Sequence, residues 1–137
     1  MNVRLLGPGD EHVVEALATR GPPARAAELL ADERTIFLVA FDGDEPIGLV
    51  LAYDLIRRHG EPSKLFVYEV DVAPAHRRRG AGTAMLNELA RIARERGVAR
   101  AWVLTDRANV PAMELYRSLG GVEPVDNVLW TFRYADD

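Results

Sequence analysis

The 137-residue chain has no cysteine, which removes disulfides, thiolate metal sites and a cysteine nucleophile at a stroke. Its three histidines, His12, His59 and His76, are scattered without metal-ligand spacing, so no metal site is expected. No apolar run approaches the roughly 18 residues of a membrane span, and the N-terminus lacks a signal-peptide core. The expected compartment is therefore the cytoplasm, with no membrane partner. Internal repeats, low-complexity blocks and linkers are absent too, and one domain over residues 1–137 is the expected organisation. There is no cationic excess: 17 Lys+Arg against 21 Asp+Glu leave a formal net charge of −4. That balance disfavours nucleic acid and mildly favours cationic partners.

What remains is the composition of an ordinary globular domain, 48% hydrophobic and 28% charged. Strands are predicted at Asn2–Leu6, Thr35–Asp42, Pro46–Ile56 and Leu65–Pro74, with Gly43-Asp44 as a hairpin turn. Two helices fit between the first pair, one capped by Asp10 and one starting near Pro22-Pro23. Met85, Leu89, Ile92 and Ala93 repeat at helical spacing up to Gly97. A strand at Arg100–Thr105, a helix capped by Asn109 and stopped by Gly120-Gly121, and a last strand Val128–Tyr134 complete the order β-α-α-β-β-β-α-β-α-β. Trp102, Trp130, Met85 and Met113 read as core residues.

The stretch AHRRRGAGTAML (Ala75–Leu86) sets three arginines and two glycines between a strand and a helix. The first helical turn has free amides and the positive end of the dipole. Gly80 and Gly82 allow close backbone approach, and arginines suit phosphate. A Walker A loop is excluded because Thr83-Ala84, not a Lys-Ser/Thr pair, follows Gly82. A dinucleotide fingerprint is excluded because Met85 stands at its third glycine. A nucleic-acid patch would need aromatic interleaving and a basic chain. Two readings stay open from the turn itself: a pyrophosphate cradle, or a solvated basic turn that merely starts a helix.

R-x-x-G-x-G (Arg77, Gly80, Gly82) after V-D-V-x-P (Val70–Pro74) resembles the acyl-coenzyme A motif of the GNAT N-acetyltransferase superfamily. Asn109–Gly121 resembles that superfamily's N-x-x-A-x-x-L-Y-x-x-L-G helix. Phe37–Leu86 is further similar to the type I aminoglycoside 3-N-acetyltransferases, through Ala40-Phe41-Asp42, Ala52-Tyr53, Val67-Tyr68-Glu69 and the arginine turn. Asp106 and Pro111 also fit; Arg107–Val110 and the last strand depart from that pattern.

The resemblance implies an α/β fold with a mixed, mostly antiparallel sheet splayed after the fourth strand and helices on both faces. It implies acetyl-coenzyme A as cofactor, held by Val70, Asp71, Val72, Arg77, Arg78, Arg79, Gly80, Ala81, Gly82, Thr83 and Asn109. The partner implied is a small-molecule amine, with the 3-amino group of an aminoglycoside as the expected acceptor; the alternatives are another amine (a polyamine, small metabolite or protein N-terminus) and a non-catalytic coenzyme A-binding module. Forming a homodimer is the superfamily's habit. Glu69 is the candidate base and an acceptor ligand, Tyr116 the candidate proton donor to the thiolate, and Asp106 a ligand for a substrate ammonium. Asp71 is the weaker candidate base; a strand bulge would break its side-parity with Glu69. Asp54 and Glu61 could line a polycation site, whereas Asp42 and Asp44 read as hairpin solvation.

Overall fold

A computed structural model describes residues 1–136 and divides them into two compact units, Met1–Asp106 and the remainder from Arg107. The first unit runs β1 (Asn2–Leu5), α1 (Glu11–Leu17), α2 (Ala26–Ala31), β2 (Thr35–Asp42), β3 (Glu45–Leu55), β4 (Lys64–Val72), a 3-10 turn (Pro74–His76), α3 (Ala81–Arg96) and β5 (Arg100–Val103). Its strands lie in chain order, β1-β2-β3-β4-β5. The first four pair antiparallel and β5 joins β4 in parallel, as the β4–α3–β5 crossover requires. The mixed, mostly antiparallel sheet is thus as the sequence suggests.

Helices cover both faces, so β2 is a continuous apolar run rather than an alternation. Ile36, Leu38 and Ala40 point towards α3, where they meet Val50, Ala52, Leu65 and Val67 with Ala81, Met85, Leu89 and Ile92. Phe37, Val39 and Phe41 point the other way, onto Val13 and Val14 of α1 and Ala26 and Leu30 of α2, with Leu49 and Leu51 beside them. Burying Met85, Leu89 and Ile92 contributes about 1.5–3 kcal/mol each.

Local details refine the predicted elements. Asp10 precedes α1, but its carboxylate does not cap that helix. It accepts hydrogen bonds from the Gly7 amide and Arg4, at 2.9 Å each, which hold its pKa below the usual carboxylate value. α2 begins at Ala26, later than expected, because Pro23 disfavours helical backbone at Pro22. Asp54, proposed for a polycation site, is buried on the α3 side. It pairs with Arg96 at 3.2 Å and tethers the last turn of α3 to β3.

The second unit contains α4 (Val110–Ser118). Asn109 caps it as expected, its Oδ1 accepting from the Ala112 amide at 3.2 Å. Gly120, at φ 85°, ends the helical stretch. The predicted strand Val128–Tyr134 is not a strand: no ladder partner pairs with it among the described residues. Period-two patterning supplies a face but no hydrogen-bond partner. Trp130, read as core, is 77% exposed. Among the described residues, no helix is long and apolar enough to cross a membrane.

Gly48 of β3 sets how closely β4 and α3 approach. A Cβ there would lie 3.0 Å from the Asp71 carbonyl oxygen and 3.1 Å from Met85 Cε. The methionine tip can move; the β4 backbone cannot without shifting the strand. Gly48→Ala is therefore expected to cost about 1–3 kcal/mol, the range for overpacking. Urea denaturation returning wild-type stability would contradict this.

Candidate active site

The site is built on β4. Its pairing with β5 ends at Val67–Val103, so Tyr68–Val72 runs on without a β5 neighbour. This is the expected splay, and it leaves backbone groups on that edge of β4 without a strand partner. The pairing with β3 slips at the same place: Ala52 faces Val67, but Leu51 faces Glu69. Tyr68 is thus the extra residue of a β-bulge.

The bulge decides which side chains reach the site. Residues opposite each other in antiparallel strands share a face. Ala52 and Val67 lie in the α3 core, whereas Leu51 and Leu49, the partners of Glu69 and Asp71, lie in the α1/α2 core. Glu69 and Asp71 therefore share the α1/α2 face, and the expected loss of parity between them does not occur. The slip falls before Glu69 and instead puts Tyr68 and Glu69, neighbours in sequence, into one cleft. Partial burial and, second, the Asp71 charge raise the Glu69 pKa above the usual carboxylate value.

That cleft, about 880 Å³, is floored by Tyr53, Tyr68, Glu69 and Thr35 and rimmed by Arg20, Pro22, Pro23, Arg25, Glu28, Leu29 and Asp32. The Tyr53 and Tyr68 rings meet edge to face with centroids 6.0 Å apart. Phe66 continues the row, 5.9 Å from Tyr68 and stacked on Trp102 at 5.4 Å. Asp32, Tyr53 and Tyr68 were missed as site residues. Only the adjacency of Tyr68 to Glu69 signalled one of them, and it carries meaning only once the bulge is known.

Beyond β4 the three arginines separate in role. Arg77 Nε donates to the Val72 carbonyl at 3.0 Å and its guanidinium lies 3.9 Å from Asp71, so it locks the turn to the strand end. Arg79 lies 3.9 Å from Asp42 of the β2–β3 hairpin. His76 stands against the same hairpin, with Nδ1 4.0 Å from Asp42 and Nε2 3.8 Å from Glu45. Asp42 thus faces the arginine turn instead of serving only as hairpin solvation. Arg78, exposed and without an ion pair among the described residues, adopts φ 64°, a left-handed conformation uncommon for a side-chain-bearing residue.

Gly80, at φ 84°, turns the chain into α3. No side chain caps this helix and no acid lies in its first turn. The first intrahelical bond runs from the Ala84 amide to the Gly80 carbonyl at 2.9 Å, so Ala81, Gly82 and Thr83 precede it with their amides free of helical partners. Arg78, three such amides and the helix dipole suit a phosphate.

The other sequence candidates lie elsewhere in the chain. Asp106 is exposed, three residues past β5, and is not part of the cleft around Glu69. Asn109 and Tyr116 belong to the second unit. Burial raises the Tyr116 pKa, keeping its hydroxyl protonated. Glu61 lies 3.9 Å from Arg57, outside the cleft.

A model of the acetyltransferase (GNAT) family matches residues 10–120. The chain belongs to the GNAT family. Streptothricin acetyltransferase of Streptomyces lavendulae is 33% identical over 90 residues, 66% of this chain and 45% of that enzyme, so the match spans under half of the relative. An aminoglycoside acetyltransferase from an uncultured soil metagenomic sample has a similar structure, with TM-score 0.82 and 29% identity over 99% of this chain and 98% of that one. A ribosomal-protein-alanine N-acetyltransferase from Brucella melitensis biovar Abortus 2308 gives TM-score 0.78 and 25% identity over 97% and 98%.

The raised Glu69 pKa in this GNAT protein has a consequence for stability. Between the usual carboxylate pKa and the raised one, the native state holds a proton that the unfolded chain has lost. Stability attributable to Glu69 therefore falls as pH rises through that window. Glu69→Gln should be at least as stable as wild type at pH 7, the difference shrinking towards pH 4. Denaturant midpoints showing a less stable variant at pH 7 would refute it.

Proposed function

We propose that the chain is one acetyltransferase domain that moves an acetyl group from acetyl-coenzyme A to the 3-amino group of an aminoglycoside. The observation that carries this reading is the coincidence, on one strand, of the β4–β5 splay with a carboxylate of raised pKa. Family membership supports the chemistry, and the structural likeness to an aminoglycoside acetyltransferase at 29% identity supports the acceptor. Peptide N-termini form a second reading, favoured by the 25% identical ribosomal-protein-alanine enzyme.

Bound acetyl-coenzyme A supplies an acetyl group activated as a thioester. Arg78 and the amides of Ala81, Gly82 and Thr83 hold its pyrophosphate. Arg77 and Arg79 keep that loop in place; Val70, Asp71 and Val72 offer the open β4 edge, and Asn109 is a further contact. Glu69 accepts the proton of the acceptor ammonium, freeing the nitrogen lone pair. The Tyr116 hydroxyl donates its proton to the departing sulfur, and Asp106 holds another ammonium of the acceptor.

Gly82→Asp tests the cradle. An acid in a first helical turn favours the dipole, so the fold should persist. The same acid repels pyrophosphate, and calorimetry should record at least a tenfold loss of acetyl-coenzyme A affinity, about 1.4 kcal/mol. Undiminished affinity would remove the cradle.

Free thiol release with a panel of aminoglycosides, polyamines and peptides tests the function. Turnover is expected with gentamicin and not with its 3-N-blocked form. Glu69→Gln should lower kcat roughly a hundredfold or more and abolish the acidic limb of the kcat/KM profile. Tyr116→Phe should lower kcat while leaving cofactor affinity unchanged. Turnover of peptides but no aminoglycoside would replace the acceptor.

A further inference from the structure

We infer that the cleft beside Glu69 holds a second, non-reacting ammonium of the acceptor between the Tyr53 and Tyr68 rings and the Asp32 carboxylate. This rests on the acetyltransferase reading and adds a specificity to it: preference for acceptors carrying at least two cationic groups.

The bulge supplies the first observation. It turns Tyr68 outward on a central strand, leaving the residue 63% exposed, yet its ring still contacts that of Tyr53. Two rings meeting at 68° form a corner. An aromatic face attracts a cation through its quadrupole, and a corner offers two such groups at once.

The charges around the rings supply the second. Of the charged residues lining the cleft, Arg25 and Glu28 neutralise each other at 2.5 Å. Asp32 and Glu69 remain, against Arg20. Asp32 is held in orientation: its Oδ1 accepts from the Arg34 amide at 2.9 Å and its carbonyl accepts from the Thr35 amide at 3.0 Å. Its Oδ2 makes no hydrogen bond among the described residues. After burial and, second, the neighbouring Tyr68, the charges of Glu69 and Asp32 also raise the Tyr53 pKa, so both carboxylates bear on one ring. A fixed carboxylate and two ring faces complement an ammonium. With Glu69 given to the reacting amine, Asp32 is left for another.

The test compares gentamicin with a derivative in which every amine but the reacting one is acylated, and spermidine with butylamine. Wild type should bind and acetylate the polycation of each pair more tightly. Tyr68→Leu and Asp32→Asn should each raise the polycation KM about tenfold with kcat and acetyl-coenzyme A affinity unchanged. Tyr68→Phe, which keeps the ring, should behave as wild type. Calorimetric titration of the polycations should show the same loss without turnover. Unchanged affinity in both Tyr68→Leu and Asp32→Asn, or equal use of mono- and polycations by wild type, overturns the inference and leaves acetyl transfer standing. No turnover with any amine overturns both.

Discussion

One extra residue in β4 governs the rest of the site. In a regular strand Glu69 would share a face with Val67, which is buried against α3. A carboxylate there would have to be neutralised or expelled. The bulge at Tyr68 advances the alternation by one residue, so Val67 stays in the α3 core while Glu69 turns to the opposite face. β5 ends its pairing at the same residue, Val67. β5 itself ends at Val103, so β4 runs on beyond its parallel partner from the bulge onward. The bulge thus turns the acid onto the cleft side at the point where the edge of β4 beside it loses its partner.

α3 is anchored asymmetrically to suit this. Its last turn carries Arg94 and Arg96, favourable at the negative end of the dipole, and Arg96 is tied to the buried Asp54. Gly97 closes the helix in a left-handed conformation, its amide bonded back to Arg94. The first turn has neither acid nor side-chain cap. Leaving an N-terminus uncapped forgoes about 1 kcal/mol. The buried stripe Ala81, Met85, Leu89, Ile92 is ample to hold the helix, so its front amides can remain available. The supporting turn is fixed instead by Arg77 on Val72 and by His76 and Arg79 against Asp42.

How much of this was readable in the sequence follows from which constraints are local. β2 and the body of α3 were legible because apolar periodicity and glycine stops act within a few residues. Asn109 was legible as a cap for the same reason. A bulge on β4 was implied by the resemblance, but its position was not legible, since a strand's register depends on its partner and Val67-Tyr68-Glu69 alone does not reveal which residue will be extra. The inequality of the arginines was hidden likewise: Arg77 and Arg79 are distinguished from Arg78 by Val72, Asp71 and Asp42, all set by the fold. Asp54 shows the reverse error. It lies inside the expected strand Pro46–Ile56, and only the fold brings Arg96 of α3 against it, making a buried tether of a carboxylate read as a candidate for a polycation site. Val128–Tyr134 had the pattern of a strand and lacked the neighbour that makes one.

In the proposed reaction, the electrostatics of Glu69 would link the fold to the choice of acceptor. Burial and Asp71 both disfavour its charged form, and each would strengthen it as a proton acceptor. A cation brought close would do the opposite, stabilising the carboxylate and weakening the base. A polycation therefore poses a conflict if all its charges gather at Glu69. Asp32 offers a resolution, because it is contributed by the end of α2 and not by β4. A remote ammonium given its own carboxylate contributes binding energy without reducing the basicity that the reacting nitrogen requires. Separating the two charges over two elements keeps affinity and proton abstraction from competing for the same oxygen atoms.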